Sequence, residues 1–128
     1  MDNILTLIRK SPRLPELIKE LEAYWEDEQK RRHQFWAGHD ESQKAEFIEG
    51  EIIYHSPVYG RHWKVSTQIL RYLIPFVYDR KLGEVAVEKV MIRCTRNDYE
   101  PDICFWTSER AREFQDKQSA FPPPGFYH

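Results

Sequence analysis

Cysteine is scarce in this chain: Cys94 and Cys104 are the only two. They form neither a metal-ligand spacing nor a disulfide framework, and neither sits in a motif that marks a nucleophile. Apolar runs are short, and none approaches the ~20 residues that span a bilayer. The segment Met1–Lys10 carries Ile4, Leu5, Leu7 and Ile8 but has no signal-peptide core of proper length and no small-residue cleavage site. A cytoplasmic location and no membrane partner are the expectation. Charge of one sign is also lacking. The formal net charge is -2, so nucleic acid could be met only through a local basic patch. Phosphate-binding glycine motifs are absent, both Gly-x-x-x-x-Gly-Lys and Gly-x-Gly-x-x-Gly, as is the Gly-x-Ser-x-Gly turn of serine hydrolases.

What remains is a chain of 128 residues, enough for one domain with a modest core. Leu14, Leu17, Ile18, Leu21, Tyr24 and Trp25 recur at helical spacing and share one stripe. Pro15 suits the first turn of that helix, the charged stretch Glu26 to Arg32 lies on its other face, and Gly38 stops it. Its plain role is a packing arm or dimer contact. From Ala45 the period changes. Glu46-Phe47-Ile48 and Glu51-Ile52-Ile53 read as two strands joined at Glu49-Gly50, with Gly50 supplying the positive φ of a tight turn. In that register Ile48 faces Glu51 and Glu46 faces Ile53. A second helix runs from His62 to Arg80, with a kink or an end expected at Pro75 and closure at Leu82-Gly83. One strand is expected over Glu84–Arg93, a polar turn over Thr95–Asp98, a strand over Glu100–Thr107, and a charged helix from Ser108 to about Gln118. The plan is α+β with one small sheet.

Asp102 is the residue most open to a chemical role. It follows Pro101 at the start of an apolar strand, where a carboxylate is costly to bury unpartnered. Two readings stand. It is a turn residue at a wet sheet edge, or something positive neutralises it, such as a hard divalent cation held by oxygen ligands. Glu46 and Glu51 on the hairpin, and His62 with Ser66 one helical turn on, could converge with it. A carboxylate pair with a histidine can hold a metal and handle protons. The plainer alternative is that they are solvent-facing surface groups. Arg61, His62 and Lys64, with Lys44 beside the hairpin, form a local basic cluster that could meet phosphates or be a solvated helix start.

Taken in order, Lys44-Ala45-Glu46-Phe47-Ile48-Glu49-Gly50-Glu51-Ile52-Ile53, Ser56-Pro57, His62 at a helix start, Gly83-Glu84-Val85, Lys89-Val90-Met91-Ile92 and Tyr99-Glu100-Pro101-Asp102-Ile103-Cys104-Phe105 resemble the Uma2 family of restriction endonucleases. That family falls in the PD-(D/E)XK nuclease superfamily. The resemblance implies a restriction-endonuclease-like mixed sheet flanked by helices, with residues 1–40 as an N-terminal helical arm and 41–128 as a partial nuclease domain. It implies metal-dependent hydrolysis of DNA phosphodiester bonds. Asp102 and Glu46 would be metal ligands, His62 would join them as catalytic, and Lys44, Arg61 and Lys64 would meet the nucleic acid. Mg²⁺ or Mn²⁺ would be the cofactor and DNA the partner.

The family pattern continues into a strand bearing a glutamate and then a helix bearing a lysine. Here Phe121-Pro122-Pro123-Pro124-Gly125-Phe126-Tyr127-His128 stands where that strand should begin. The expectation is therefore an incomplete fold with half the site missing, and an unpaired edge on the Glu100–Thr107 strand. A homodimer through that sheet edge or through the helical arm would follow. The alternatives to an active enzyme are a non-catalytic interaction module and a truncated gene product.

Overall fold

The computed structural model describes residues 2–39, 43–55, 60–88 and 90–127, with the side chains of 2, 60–62, 126 and 127 left aside. The chain divides into two compact units, Met1–Gly38 and His39–His128.

The first unit is helical, in two pieces: α1 (Asp2–Lys10) and α2 (Leu14–Gly38). The break is local chemistry. The Ser11 hydroxyl accepts the Arg13 N–H at 3.1 Å and the Ser11 carbonyl accepts the Leu14 N–H at 3.1 Å, a turn that caps the start of α2. Arg13 then ties back to Glu16 at 2.9 Å. Burial in α2 departs from the sequence pattern. Ile18, Leu21, Tyr24 and Trp25 of the apolar stripe are exposed, whereas Glu28, Arg32 and Phe35 are buried. Neither charged residue lacks a partner, which is the condition for burying charge.

The second unit opens with the hairpin β1 (Ala45–Ile48) and β2 (Glu51–Tyr54), registered Glu46↔Ile53 and Ile48↔Glu51 as the sequence requires. Glu49 and Gly50 both have positive φ, 52° and 86°, the signature of a type I′ turn. The Asn97 side chain accepts the Glu49 N–H at 2.8 Å and pins that turn. Helix α3 (Gly60–Asp79) follows and continues past Pro75, so it does not end there. It stops in a Schellman motif: Leu82 N–H to Val77 O at 2.9 Å and Lys81 N–H to Tyr78 O at 3.2 Å. The left-handed residue is Lys81, at φ 53°, rather than glycine. Gly83 serves another purpose, since a Cβ there would stand 1.8 Å from the Trp106 carbonyl oxygen.

The single strand expected over Glu84–Arg93 is two strands, β3 (Gly83–Val87) and β4 (Met91–Arg93), and they belong to different sheets. Glu88, at φ 56°, makes the corner. The polar turn ends in β5 (Asp98–Tyr99), and the next strand, β6 (Ile103–Thr107), starts three residues later than expected. Helix α4 spans only Ser108–Ala111. Thr107 caps it by accepting the Arg110 N–H, and the charged stretch beyond it, having no apolar stripe to bury, leaves the helix. The Pro-rich tail supplies two further strands, β7 (Ala120–Phe121) and β8 (Phe126–Tyr127).

One sheet has the order β2-β1-β5-β4-β7, with β4 and β7 parallel and the other pairs antiparallel. The other has the order β3-β6-β8. The fold is α+β with a mixed sheet. Strand β6 is not an edge: it pairs with β3 along its length and with β8 at Cys104↔Tyr127 and Phe105↔Phe126. The expected unpaired edge on this strand is thereby overturned. Ile92, Cys104 and Trp106 form a core that draws on both sheets, with Ala86, Tyr99 and Phe121 around it. Trp106 meets Phe114 edge-on at 5.2 Å, and its indole N–H reaches the Pro122 carbonyl at 2.9 Å, so the aromatic body and its polar atom are both satisfied.

Candidate functional site

The site is built where the hairpin meets the Glu100-Pro101-Asp102 segment. Strand β1 pairs with β5 at Phe47↔Asp98, which sends Glu100 to Asp102 alongside Ala45 and Lys44. Side chains alternate along β1. Ala45 and Phe47 go into the core, and Lys44 and Glu46 take the other face.

Lys44 Nζ lies 2.6 Å from Asp102 Oδ1, with the two side chains 29% and 19% exposed. An ammonium therefore stabilises this carboxylate. Asp102 is held from behind as well, because its carbonyl accepts the Glu88 N–H at 3.0 Å. Glu46 is still more enclosed. One of its oxygens is 2.6 Å from His55 Nε2, and the other accepts the Glu100 N–H at 2.8 Å. Glu100 itself is buried, and its carboxylate accepts the Ala45 N–H at 3.2 Å. Lys44 and Glu46 thus grip the two ends of one tripeptide. The described contacts thus gather the Asp102, Glu46 and Glu100 carboxylates, the Lys44 ammonium and the His55 ring about one short segment.

The structure accordingly ties Asp102 and Glu46 to the same short segment. Lys44, expected to meet nucleic acid, is engaged with Asp102. Glu51 and Lys64 are exposed. Arg61 and His62 lie in the first turn of α3, but their side chains fall outside the described residues. Glu100 and His55 were missed. For His55 the signal was present: the hairpin register continues to Lys44↔His55, diagonal to Glu46, and His55 N–H does bond Lys44 O at 3.0 Å. Glu100 carried no signal, because its role depends on a bend in the chain that no periodicity reports.

A divalent cation is the group that the resemblance implies. The donors are of the right kind, hard carboxylate oxygens. Among the described residues no group of three or more His, Cys, Asp or Glu could hold a metal ion. Mg²⁺ does not require one, since it keeps several waters and takes one or two carboxylates together with a substrate phosphate. Asp102 and Glu46 fit that limited role, with Lys44 as the internal competitor for Asp102.

A family model described as Uma2, "Putative restriction endonuclease", matches residues 20–126. Among solved structures, the chain is similar to a "putative nuclease belonging to DUF820" from Anabaena variabilis, at TM-score 0.53 and 18% identity. The match covers 60% of this chain and 44% of that one, so the chain spans less than half of its structural relative. No curated protein matches the sequence. No described helix is long and apolar enough to cross a membrane.

Proposed function

This chain belongs to the Uma2 restriction-endonuclease family, and we propose that it acts on DNA as a Mg²⁺- or Mn²⁺-dependent phosphodiesterase, with Asp102 and Glu46 as its metal ligands. The observation that carries the reading is the Lys44–Asp102 contact of 2.6 Å on the same short segment that binds Glu46 through the Glu100 N–H. When bound, the cation would polarise the phosphate and lower the pKa of an attacking water.

The chain's own residues do the rest. Glu100 and the backbone around it hold Glu46 fixed through the 2.8 Å bond. His55 sits against Glu46, half in solvent, where it can pass a proton between that carboxylate and water. Lys44 has two natural partners, the Asp102 carboxylate and a phosphate. A cation taken up by Asp102 would free the ammonium to meet the DNA backbone, together with Arg61 and Lys64 at the start of α3. His62 stays in the proposal as a further catalytic group.

A plasmid-cleavage assay with Mg²⁺ or Mn²⁺, run beside calorimetric titration of the metal alone, tests this. Asp102→Ala should abolish cleavage and weaken metal binding, and Lys44→Met should tighten metal binding by removing the competitor. Equal cleavage by the wild-type protein and Asp102→Ala would remove Asp102 from the chemistry. The second reading, a non-catalytic interaction module, draws on the absence of a three-ligand cluster among the described residues. It gains if metal titration gives no heat.

A further inference from the structure

Strand β2 is the outer strand of its sheet, and all four of its residues are exposed, as is the following His55. Three of them are large: Ile52 is 42% exposed, Ile53 39% and Tyr54 61%. Such an edge normally carries a lysine, a proline or a bulge that keeps other strands away. None lies within Glu51-Ile52-Ile53-Tyr54-His55.

The hydrogen-bond phase of this edge is fixed. His55 bonds back to Lys44, so the alternation of an antiparallel ladder directs the backbone groups of Glu51, Ile53 and His55 toward β1. Those of Ile52 and Tyr54 point outward. A second strand can dock only by pairing with these two.

We infer that the partner is a second copy of this chain, joined antiparallel through β2 about a two-fold axis at Ile53. This register alone lets both outward residues of each copy bond at once, Ile52 with the partner's Tyr54 and the reverse. It also matches every side chain. Ile53 meets Ile53 of the partner subunit, Ile52 lies across from the partner's Tyr54, and Glu51 lies across from the partner's His55. Shifting the axis to Ile52 sets Glu51 against the partner's Ile53 and loses its polar partner. Glu51, Ile53 and His55 share the face that carries Glu46. Pairing therefore brings Glu51 of the partner subunit beside the His55–Glu46 contact of 2.6 Å, and each cluster borrows a carboxylate from the other copy. The association itself does not rest on nuclease activity and is tested without DNA.

Sedimentation velocity over a concentration series should show a reversible monomer–dimer equilibrium. Ile53→Cys is the sharpest variant. Across the axis a non-hydrogen-bonded pair has Cα atoms about 4.5 Å apart, inside the range a disulfide needs. Mild oxidation should yield a covalent dimer beyond that of the wild-type chain. Glu51→Cys should not, because two copies of residue 51 would lie about 14 Å apart. Glu51→Lys, on an exposed position that leaves the hairpin intact, should weaken dimerisation about tenfold by removing the carboxylate that lies across from the partner's His55. A protein that stays monomeric throughout, or that cross-links as readily through residue 51 as through residue 53, overturns the inference.

Discussion

The contact between Lys44 and Asp102 allows a quantitative test of how this site is held. Exposed ion pairs are worth about 0.2–1 kcal/mol, and breaking a fully buried pair costs about 3–5 kcal/mol. With exposures of 29% and 19% and a separation of 2.6 Å, this pair belongs between those limits, at a coupling of about 1.5–2 kcal/mol. Lys44→Met and Asp102→Asn remove each charge with little change of shape. The two should not cost the same. Losing Lys44 removes the ammonium that faces Asp102 at 2.6 Å and leaves the carboxylate charged, whereas losing Asp102 takes one negative charge away from a segment that also holds Glu46 and Glu100. The lysine variant should therefore lose about 2–3 kcal/mol and the aspartate variant about 1–2. The double variant should resemble Lys44→Met alone. Urea unfolding of the four proteins at low and high salt measures this, as a double-mutant cycle. Strict additivity, with a coupling under ~0.5 kcal/mol, would show that the two groups are neighbours without being energetic partners, and the account of the site would lose its anchor.

Gly83→Ala should be among the most damaging single-methyl changes in the chain, because the added carbon would meet the Trp106 carbonyl oxygen at 1.8 Å. A loss of about 3 kcal/mol or more in thermal or urea unfolding is expected, and an ordinary loss below ~1 kcal/mol would mean that β3 slides off β6 easily. Burial pushes the Cys104 thiol up to about 11, from 9.0 in the unfolded chain. An acid whose native pKa is raised contributes no penalty below pH 9, destabilises progressively from pH 9 to about 11, and then levels off. The total is on the order of 2–3 kcal/mol. Cys104→Ala should lack that part of the alkaline decline, and identical pH profiles for the two proteins would refute it.

The hairpin was legible because three independent signals agreed: alternating strands, the Glu49-Gly50 turn and a register tying Ile48 to Glu51. The long helices were legible from their period. Where the sequence misled, a tertiary demand overrode a local one. Ile18, Leu21, Tyr24 and Trp25 form a proper stripe and stay exposed, while Glu28 and Arg32 are buried, since periodicity reports which residues share a face and not which face is covered. Residues 84 to 93 read as one strand, with Val85, Val87 and Met91 in phase, yet Glu88 turns a corner at φ 56°. A charged residue in a left-handed conformation gives no warning. Gly83 looked like a helix cap and is instead a point of close backbone contact. In the site, Asp102 and Glu46 could be singled out from the sequence and the hairpin register placed His55 near Glu46, but the partner of Asp102 could not be read, because Lys44 and Asp102 are 58 residues apart.

The Pro-rich tail has a consequence for how the second unit keeps its shape. Strands β7 and β8 lie within its last few residues, one completing the five-stranded sheet beside β4 and the other completing the three-stranded sheet beside β6. A single short peptide therefore seals two flanks simultaneously, like one clasp closing two panels. Peeling it away would uncover the inner strands of both layers together, along with the side of Trp106 that Phe121 shields at 5.7 Å. The two layers are bound to loosen as one event.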